Sequence, residues 1–121
     1  MAITLEKIRA KKEKRKRALQ KDLEKIQNQL EEMGALKIIL FGSYAQGHVR
    51  SSSDLDIISI MPSTRSGKEW MRKIYEEVER EVSCDILAYT KEELESAVPV
   101  SRFLRHAIKT GEVIYEKRPE S

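Results

Sequence analysis

Residues 40–60 read LFGSYAQGHVRSSSDLDIISI, in which two apolar runs enclose a glycine-containing turn and two aspartates one residue apart. Side chains alternate between the two faces of a strand, so Asp54 and Asp56 are predicted to point the same way. Two neighbouring carboxylates repel each other near neutral pH unless a cation lies between them, and hard divalent cations prefer oxygen ligands. The pattern therefore predicts a metal site at the start of this strand.

Just upstream of the aspartates, the segment FGSYAQG follows a predicted strand and is predicted to begin a short helix at Ser43. Backbone N–H groups at such a turn converge on one point with the serine hydroxyl, a geometry suited to binding phosphate. Gly42 lets the backbone approach a ligand closely, and Gly47 lets the chain turn back toward the aspartates. The turn therefore predicts a phosphate site beside the metal site.

A third carboxylate, Asp85, stands one residue into another predicted strand, CDILAYT, residues 84–90. If that strand lies beside the strand of Asp54 and Asp56, the three carboxylates converge on one face of a sheet. Three such ligands can hold two Mg²⁺ ions, which would clamp the attacking and leaving oxygens of a phosphoryl or nucleotidyl transfer. The residues alone thus indicate metal-dependent transfer chemistry.

The rest of the chain alternates between helical and strand-like apolar periodicity. The predicted strands are residues 35–41, 54–61, 84–90 and 112–116. The predicted helices are residues 4–33, residues 66–82, a helix from Lys91 that follows a capping box of Thr90 and Glu93, and residues 101–110 before Gly111. This order predicts an α+β fold, a small mixed β-sheet of three to four strands covered by helices.

The long N-terminal helix is predicted to have two different halves. Eight basic residues and one acid lie between Lys7 and Arg17. The second half carries an apolar stripe at helical spacing, formed by Leu19, Leu23, Ile26, Leu30 and Met33. Thr4 is the expected N-cap and Gly34 the expected C-terminal stop. The stripe either packs on the sheet or pairs with a second copy of the chain as a homo-oligomer, and the sequence leaves both open.

Composition limits the class of protein. The 121 residues fit one domain, expected at 34–116, after the helix of residues 1–33 and before a frayed tail at 117–121. No apolar run is long enough for a membrane span or a secretory signal, so a cytoplasmic protein without a membrane partner is expected. The single cysteine, Cys84, rules out an internal disulfide and is interpreted as a small strand residue rather than a nucleophile.

The motifs resemble the signature of the nucleotidyltransferase superfamily related to DNA polymerase β. The matching residues are Gly42 and Ser43, ten intervening residues, and then Asp54, Leu55 and Asp56. The resemblance extends over residues 34–116, including CDIL and the ending FLRHAIKTGEVIYE, and the short length is similar to the minimal nucleotidyltransferase branch. It implies the nucleotidyltransferase fold.

The resemblance also implies a role for each residue of the motif. Gly42 and Ser43 would hold the β- and γ-phosphates of a nucleoside triphosphate such as ATP. Asp54 and Asp56 would ligate Mg²⁺, for which Mn²⁺ can substitute. Asp85 would ligate the catalytic metal and act as the base that prepares an acceptor hydroxyl. Attack on the α-phosphate would transfer a nucleoside monophosphate and release pyrophosphate.

Members of this branch often partner a helical HEPN protein in toxin–antitoxin pairs, so the resemblance implies such a partner as the acceptor and an antitoxin role for this chain. The chain departs from many relatives, which have arginine where it has Tyr44 or Gln46. Arg50 or Lys68 is a candidate to supply the missing positive charge near the phosphates.

Two other hypotheses belong to different classes. One is an intact site in a catalytically inactive protein that only binds its partner. The other is a nucleic-acid-binding module that acts through the basic segment from Lys7 to Arg17, although a solvated helix or an arm for an acidic partner explains that segment equally well.

Overall fold

The computed structural model describes residues 5–45 and 55–118. Helices and strands alternate along these residues, with a short 3₁₀ turn, Val98–Val100, between the last two helices. The elements are α1 (Leu5–Glu32), β1 (Lys37–Phe41), α2 (Gly42–Ala45), β2 (Leu55–Met61), α3 (Gly67–Glu77), β3 (Cys84–Thr90), α4 (Lys91–Ala97), α5 (Arg102–Thr110) and β4 (Glu112–Glu116). The α+β class predicted from the sequence is confirmed.

The strands form one mixed four-stranded sheet in the order β3-β2-β1-β4. β1 pairs antiparallel with both β2 and β4, whereas β2 and β3 run parallel. The register aligns Phe41 with Asp56 and Asp56 with Asp85 across three neighbouring strands. The expectation that the strand of Asp85 lies beside that of Asp56 is therefore confirmed.

Helices cover both faces of this sheet, as the alternation of apolar residues along the strands requires. On one face, Leu55 and Ile57 of β2 pack in the same cluster as residues of α1 and α3. On the other face, Ile58 packs with Leu104 and Ala107 of α5. Asp56 lies between Leu55 and Ile57 in sequence, so its side chain is on the α5 face.

The long helix α1 ends as predicted at Gly34, whose φ of 103° only glycine adopts without strain. The N–H of Gly34 donates to the carbonyl of Glu31, and the N–H of Ala35 donates to that of Leu30. This pair of hydrogen bonds is a Schellman motif. The expected N-cap, Thr4, lies outside the described residues. None of the described helices is long and apolar enough to cross a membrane.

The prediction of one helix over residues 66–82 is wrong for its last five residues, because α3 ends at Glu77. Val78 is extended, with φ −77° and ψ 118°, and the chain then turns beneath α1. Val78 and Val82 still contact the core from this non-helical segment, which is why their four-residue spacing imitates a helix. Asp22 of α1 explains the turn, since its carboxylate accepts hydrogen bonds from the N–H groups of Glu81 and Val82 at 3.1 and 3.2 Å.

The start of α4 is fixed by the predicted capping box of Thr90 and Glu93, which is present. Glu93 Oε1 accepts from the N–H of Thr90 and also from that of Gly67, each at 2.9 Å, so it ties α4 to the first turn of α3. The N–H of Thr90 is the main cause that lowers the pKa of Glu93 below its usual value, because these bonds stabilise the ionised carboxylate.

Candidate active site

The two described aspartates of the motif lie side by side on adjacent parallel strands. Asp56 of β2 and Asp85 of β3 are register partners, so their side chains point to the same face of the sheet. Both line a cleft of about 580 Å³ between that face and α5. The third predicted ligand, Asp54, lies outside the described residues, as do Gln46 and Arg50.

The neighbours of each aspartate in sequence hold it in place. Leu55 and Ile57 are fully buried on the opposite face, and so is Ile86. Because these side chains anchor β2 and β3 in the core, the carboxylates next to them in sequence are directed into the cleft. Asp85 is exposed and Asp56 is half-buried.

Gly42 closes the cleft beside Asp56. Its φ is 81°, and a β-carbon built on it would overlap Asp56 Oδ2. Only glycine permits both this backbone conformation and this approach. Gly42 begins the short helix α2, which also contains Ser43 and Tyr44; the side chains of those two residues are outside the described part of the chain.

Beside the carboxylates, the cleft has an apolar wall that the sequence analysis did not identify. Phe41 and Phe103 meet edge to face with ring centroids 5.6 Å apart. Leu87 and Ala107 complete this wall, and His106 and Thr110 lie at its rim. Phe103, His106 and Thr110 are spaced three and four residues apart along α5, a helical stripe that could have been found in the sequence.

Tyr75 of α3 supports β3 next to Asp85. Its hydroxyl accepts a hydrogen bond from the N–H of Ile86 at 3.1 Å, which satisfies a donor on the open edge of this strand. The Arg80 guanidinium lies over the Tyr75 ring, 4.6 Å from its centroid. Burial raises the pKa of the neighbouring Cys84 thiol to about 12, while Arg80 acts in the opposite direction.

Lys68 does not lie near these carboxylates. It follows Gly67, whose neighbours are the carbonyl of Ala88 and the carboxylate of Glu93. Ala88 is three residues beyond Asp85 on β3, which is about 10 Å along the strand. Lys68 is therefore at the other end of β3, and the suggestion that it replaces a missing arginine near the phosphates is not supported.

The described donors fit a hard divalent cation in chemistry, since Mg²⁺ is usually bound by one or two carboxylates together with waters and substrate phosphates. Asp56 and Asp85 supply carboxylate oxygens from neighbouring strands, and oxygen is the ligand that Mg²⁺ prefers. Within residues 5–45 and 55–118 there is no group of three His, Cys, Asp or Glu side chains arranged to hold a metal. The predicted set of three carboxylates also includes Asp54, which lies outside the described residues.

Comparison with known proteins agrees with this geometry. The family model described as Polymerase beta, Nucleotidyltransferase matches residues 24–120. A chain from a crystal structure of a toxin–antitoxin with AMP-PNP is similar in fold, with a TM-score of 0.51 and 26% identity over 78% of this chain and 73% of that one. No match is found among the curated proteins.

Proposed function

Since this chain belongs to the polymerase beta nucleotidyltransferase family, we propose that it transfers a nucleoside monophosphate, AMP from ATP, to a hydroxyl group of a partner protein. Nucleotidyl transfer follows from the family, whereas the substrate, the acceptor, the metal and the residue roles are the proposal. The observation that supports it most directly is the register of Asp56 and Asp85, which places two carboxylates side by side in one cleft.

In this proposal, Asp54, Asp56 and Asp85 hold Mg²⁺ or Mn²⁺, and the metal ions, when bound, neutralise charge on the triphosphate and on the leaving pyrophosphate. Gly42 and Ser43 position the β- and γ-phosphates. Asp85 accepts the proton of the acceptor hydroxyl. The hydroxyl oxygen then forms a bond to the α-phosphorus, and the bond from that phosphorus to the bridging oxygen breaks, releasing pyrophosphate.

The apolar wall of the cleft gives the nucleotide base a place to bind. Phe41 of β1 is the register partner of Asp56, and Phe103 of α5 meets the Phe41 ring edge to face, so ring surface lies in the same cleft as the carboxylates. A nucleotide in this cleft would have its phosphates toward Gly42 and the carboxylates and its base toward Phe103 of α5. The mixed lining, apolar with a few convergent polar groups, is typical of small-molecule sites.

The acceptor is proposed to be a helical HEPN-type protein, with this chain as the antitoxin of the pair, in the cytoplasm. The similar solved chain comes from a toxin–antitoxin with AMP-PNP, which supports both a protein partner and an adenine nucleotide. The product of the neighbouring reading frame is therefore the acceptor to test first.

The decisive experiment supplies α-labelled ATP, Mg²⁺ and that acceptor. Label should move to the acceptor with release of pyrophosphate, and Asp85→Asn should abolish transfer while sparing much of the ATP binding measured by titration calorimetry. Glu95→Gln is the matched control, because it neutralises an exposed carboxylate on α4 and should leave transfer unchanged. Transfer of label from γ-labelled ATP, with none from α-labelled ATP, would instead indicate a kinase.

Two further results would count against the proposal. Equal ATP binding in EDTA, or in Asp54→Asn/Asp56→Asn, would contradict the metal role of these residues. Tight binding of the partner with no transfer under any nucleotide or metal would replace the enzyme with an inactive partner-binding protein.

A further inference from the structure

The first half of α1, residues 5–18, forms a basic arm that lies outside the core. It contains eight Lys or Arg and two Glu. Its residues are exposed apart from the half-buried Arg15, and the first buried residue of the helix is Leu19. None of the described residues that line the cleft belongs to the basic arm, so its charge needs another explanation.

Contacts farther along α1 fix the direction of the basic arm. Gly34, after the helix, lies beside Pro62, which follows β2. Asp22 binds the N–H of Val82, two residues before β3 begins at Cys84. The helix therefore runs from the end of β2 toward the start of β3, and the basic arm continues for about 20 Å past that end of the sheet. Asp56 and Asp85 lie at the same end.

The two acids of the basic arm lie on one side of the helix, whereas its cations lie on all sides. Three lysines continue the face of α1 that packs on the sheet, because they precede the buried Leu19 at helical spacing. They are Lys16, three residues before Leu19, Lys12, seven before, and Lys11, eight before. Glu6 and Glu13 precede Leu19 by thirteen and six residues, which turns them about 140° and 120° away. A basic face without an acid is thus directed toward the space in front of the catalytic end of the sheet.

This arrangement disfavours the isolated helix. Lys12 and Lys16 are four residues apart and Lys11 and Lys14 three apart, spacings at which like charges destabilise a helix. A segment of about fourteen residues in which only Arg15 is partly buried is already marginal as a helix in water. A polyanion on the basic face would remove the repulsion and stabilise the helix.

We propose that the basic arm binds the phosphate backbone of a double-stranded nucleic acid. Residues 5–33 contain no aromatic residue, so α1 cannot stack the bases of a single strand. Protein interfaces are depleted in lysine and rely on aromatic and apolar anchors, which the basic arm lacks beyond Leu5 and Ile8. Duplex backbone requires only an array of cations at helical spacing. This inference goes beyond the proposed transfer reaction and does not depend on it.

The test measures fluorescence anisotropy of labelled duplex RNA, duplex DNA and single-stranded RNA with the full chain, from 50 to 200 mM salt. Both duplexes should bind more tightly than the single strand, and the tighter of the two identifies the form that the basic arm prefers. Lys11→Gln/Lys12→Gln/Lys16→Gln should weaken duplex binding about tenfold or more and reduce the salt slope by about 2 to 3.

The matched control is Lys7→Gln/Lys14→Gln/Arg17→Gln, which removes the same charge from positions turned about 120° to 160° away from Leu19 on the same helix. It should weaken binding no more than about threefold. Asp85→Asn should bind duplex like the wild type, which separates failure of this inference from failure of the transfer reaction. Circular dichroism of each variant confirms that it is folded.

Three results would overturn the inference. If the two triple variants weakened duplex binding equally, the binding surface could not be assigned to the face with Lys11, Lys12 and Lys16. Tighter binding of polyglutamate than of either duplex would assign the basic arm to an acidic protein. Duplex binding that neither triple variant changes would place the nucleic-acid surface elsewhere.

Discussion

Gly42 and Asp56 lie so close together that a β-carbon on residue 42 would overlap Asp56 Oδ2. Gly42→Ala should therefore displace the carboxylate and also strain the backbone, whose φ is 81°. We expect transfer to fall by at least about a hundredfold, since misplaced catalytic groups lose this much, and stability to fall by about 1–2 kcal/mol. Transfer assays and urea unfolding measure the two effects.

Gly34→Ala is the control that strains the backbone without displacing the Asp56 carboxylate. Gly34 also has a positive φ, 103°, but the described atoms nearest to an added β-carbon would be Pro62 Cγ at 3.4 Å and Pro62 Cδ at 4.0 Å, which are ordinary contact distances. We expect a similar loss of stability with transfer unchanged at temperatures where the protein is folded. If Gly42→Ala were as active as Gly34→Ala, the close approach to Asp56 would have no role in the reaction.

Much of this geometry could be predicted from the sequence because it depends on local rules. Alternation of apolar residues predicts strands at residues 54–61 and 84–90, and the structure has β2 at Leu55–Met61 and β3 at Cys84–Thr90. One aspartate near the start of each strand then predicts neighbouring carboxylates once the strands pair. The capping box before α4 and the glycine after α1 are equally local signals.

The features that were missed depend on contacts distant in sequence. The end of α3 at Glu77 is set by Asp22 of α1, about sixty residues away, so no periodicity within residues 66–82 reveals it. The apolar wall pairs Phe41 of β1 with Phe103 of α5, and only the packing of α5 on the sheet brings them together. Phe103 by itself reads as an ordinary residue of an amphipathic helix.

Asp22 gives a prediction about stability. Its carboxylate is buried and accepts two backbone N–H groups of the turn after α3, those of Glu81 and Val82. Asp22→Ala would leave both donors unpaired, so we expect a loss of about 2–4 kcal/mol in the free energy of unfolding. Asp22→Asn keeps one acceptor oxygen and should lose about half as much. A change below about 0.5 kcal/mol in Asp22→Ala would contradict this account of the turn.

The raised pKa of the Cys84 thiol predicts how the stability of the protein changes at alkaline pH. Burial raises the pKa of its thiol from 9.0 to about 12, so the folded chain keeps this proton where the unfolded chain loses it. The contribution of the thiol is fully present below pH 9 and is lost as the pH rises toward 12. The stability difference between wild type and Cys84→Ala should therefore fall by about 1.4 kcal/mol per pH unit above 9.

Urea unfolding of both proteins at pH 8, 9 and 10 measures this slope, because titrations common to wild type and variant cancel in the difference. A thiol reagent should also react slowly with folded wild type and quickly in urea. If the stability difference between wild type and Cys84→Ala stayed constant from pH 8 to 10, and the reagent labelled the folded protein rapidly, the raised pKa would be contradicted. The thiol would then ionise as easily in the folded protein as in solvent.

Phe103 tests the side of the cleft that is proposed to hold the base. Its ring is 56% exposed and meets Phe41 only at an edge, so Phe103→Ala should reduce stability by about 1 kcal/mol. If the base packs on this ring, ATP affinity should fall about tenfold, and affinity for pyrophosphate, which has no base, should not change. Val100→Ala is the control, since Val100 is 85% exposed, precedes the same helix and does not line the cleft. Calorimetric titrations with ATP and with pyrophosphate measure these affinities. Equal ATP affinity in the two variants would show that the base does not bind at α5. If Phe103→Ala weakened ATP and pyrophosphate equally, Phe103 would support the cleft without contacting the base.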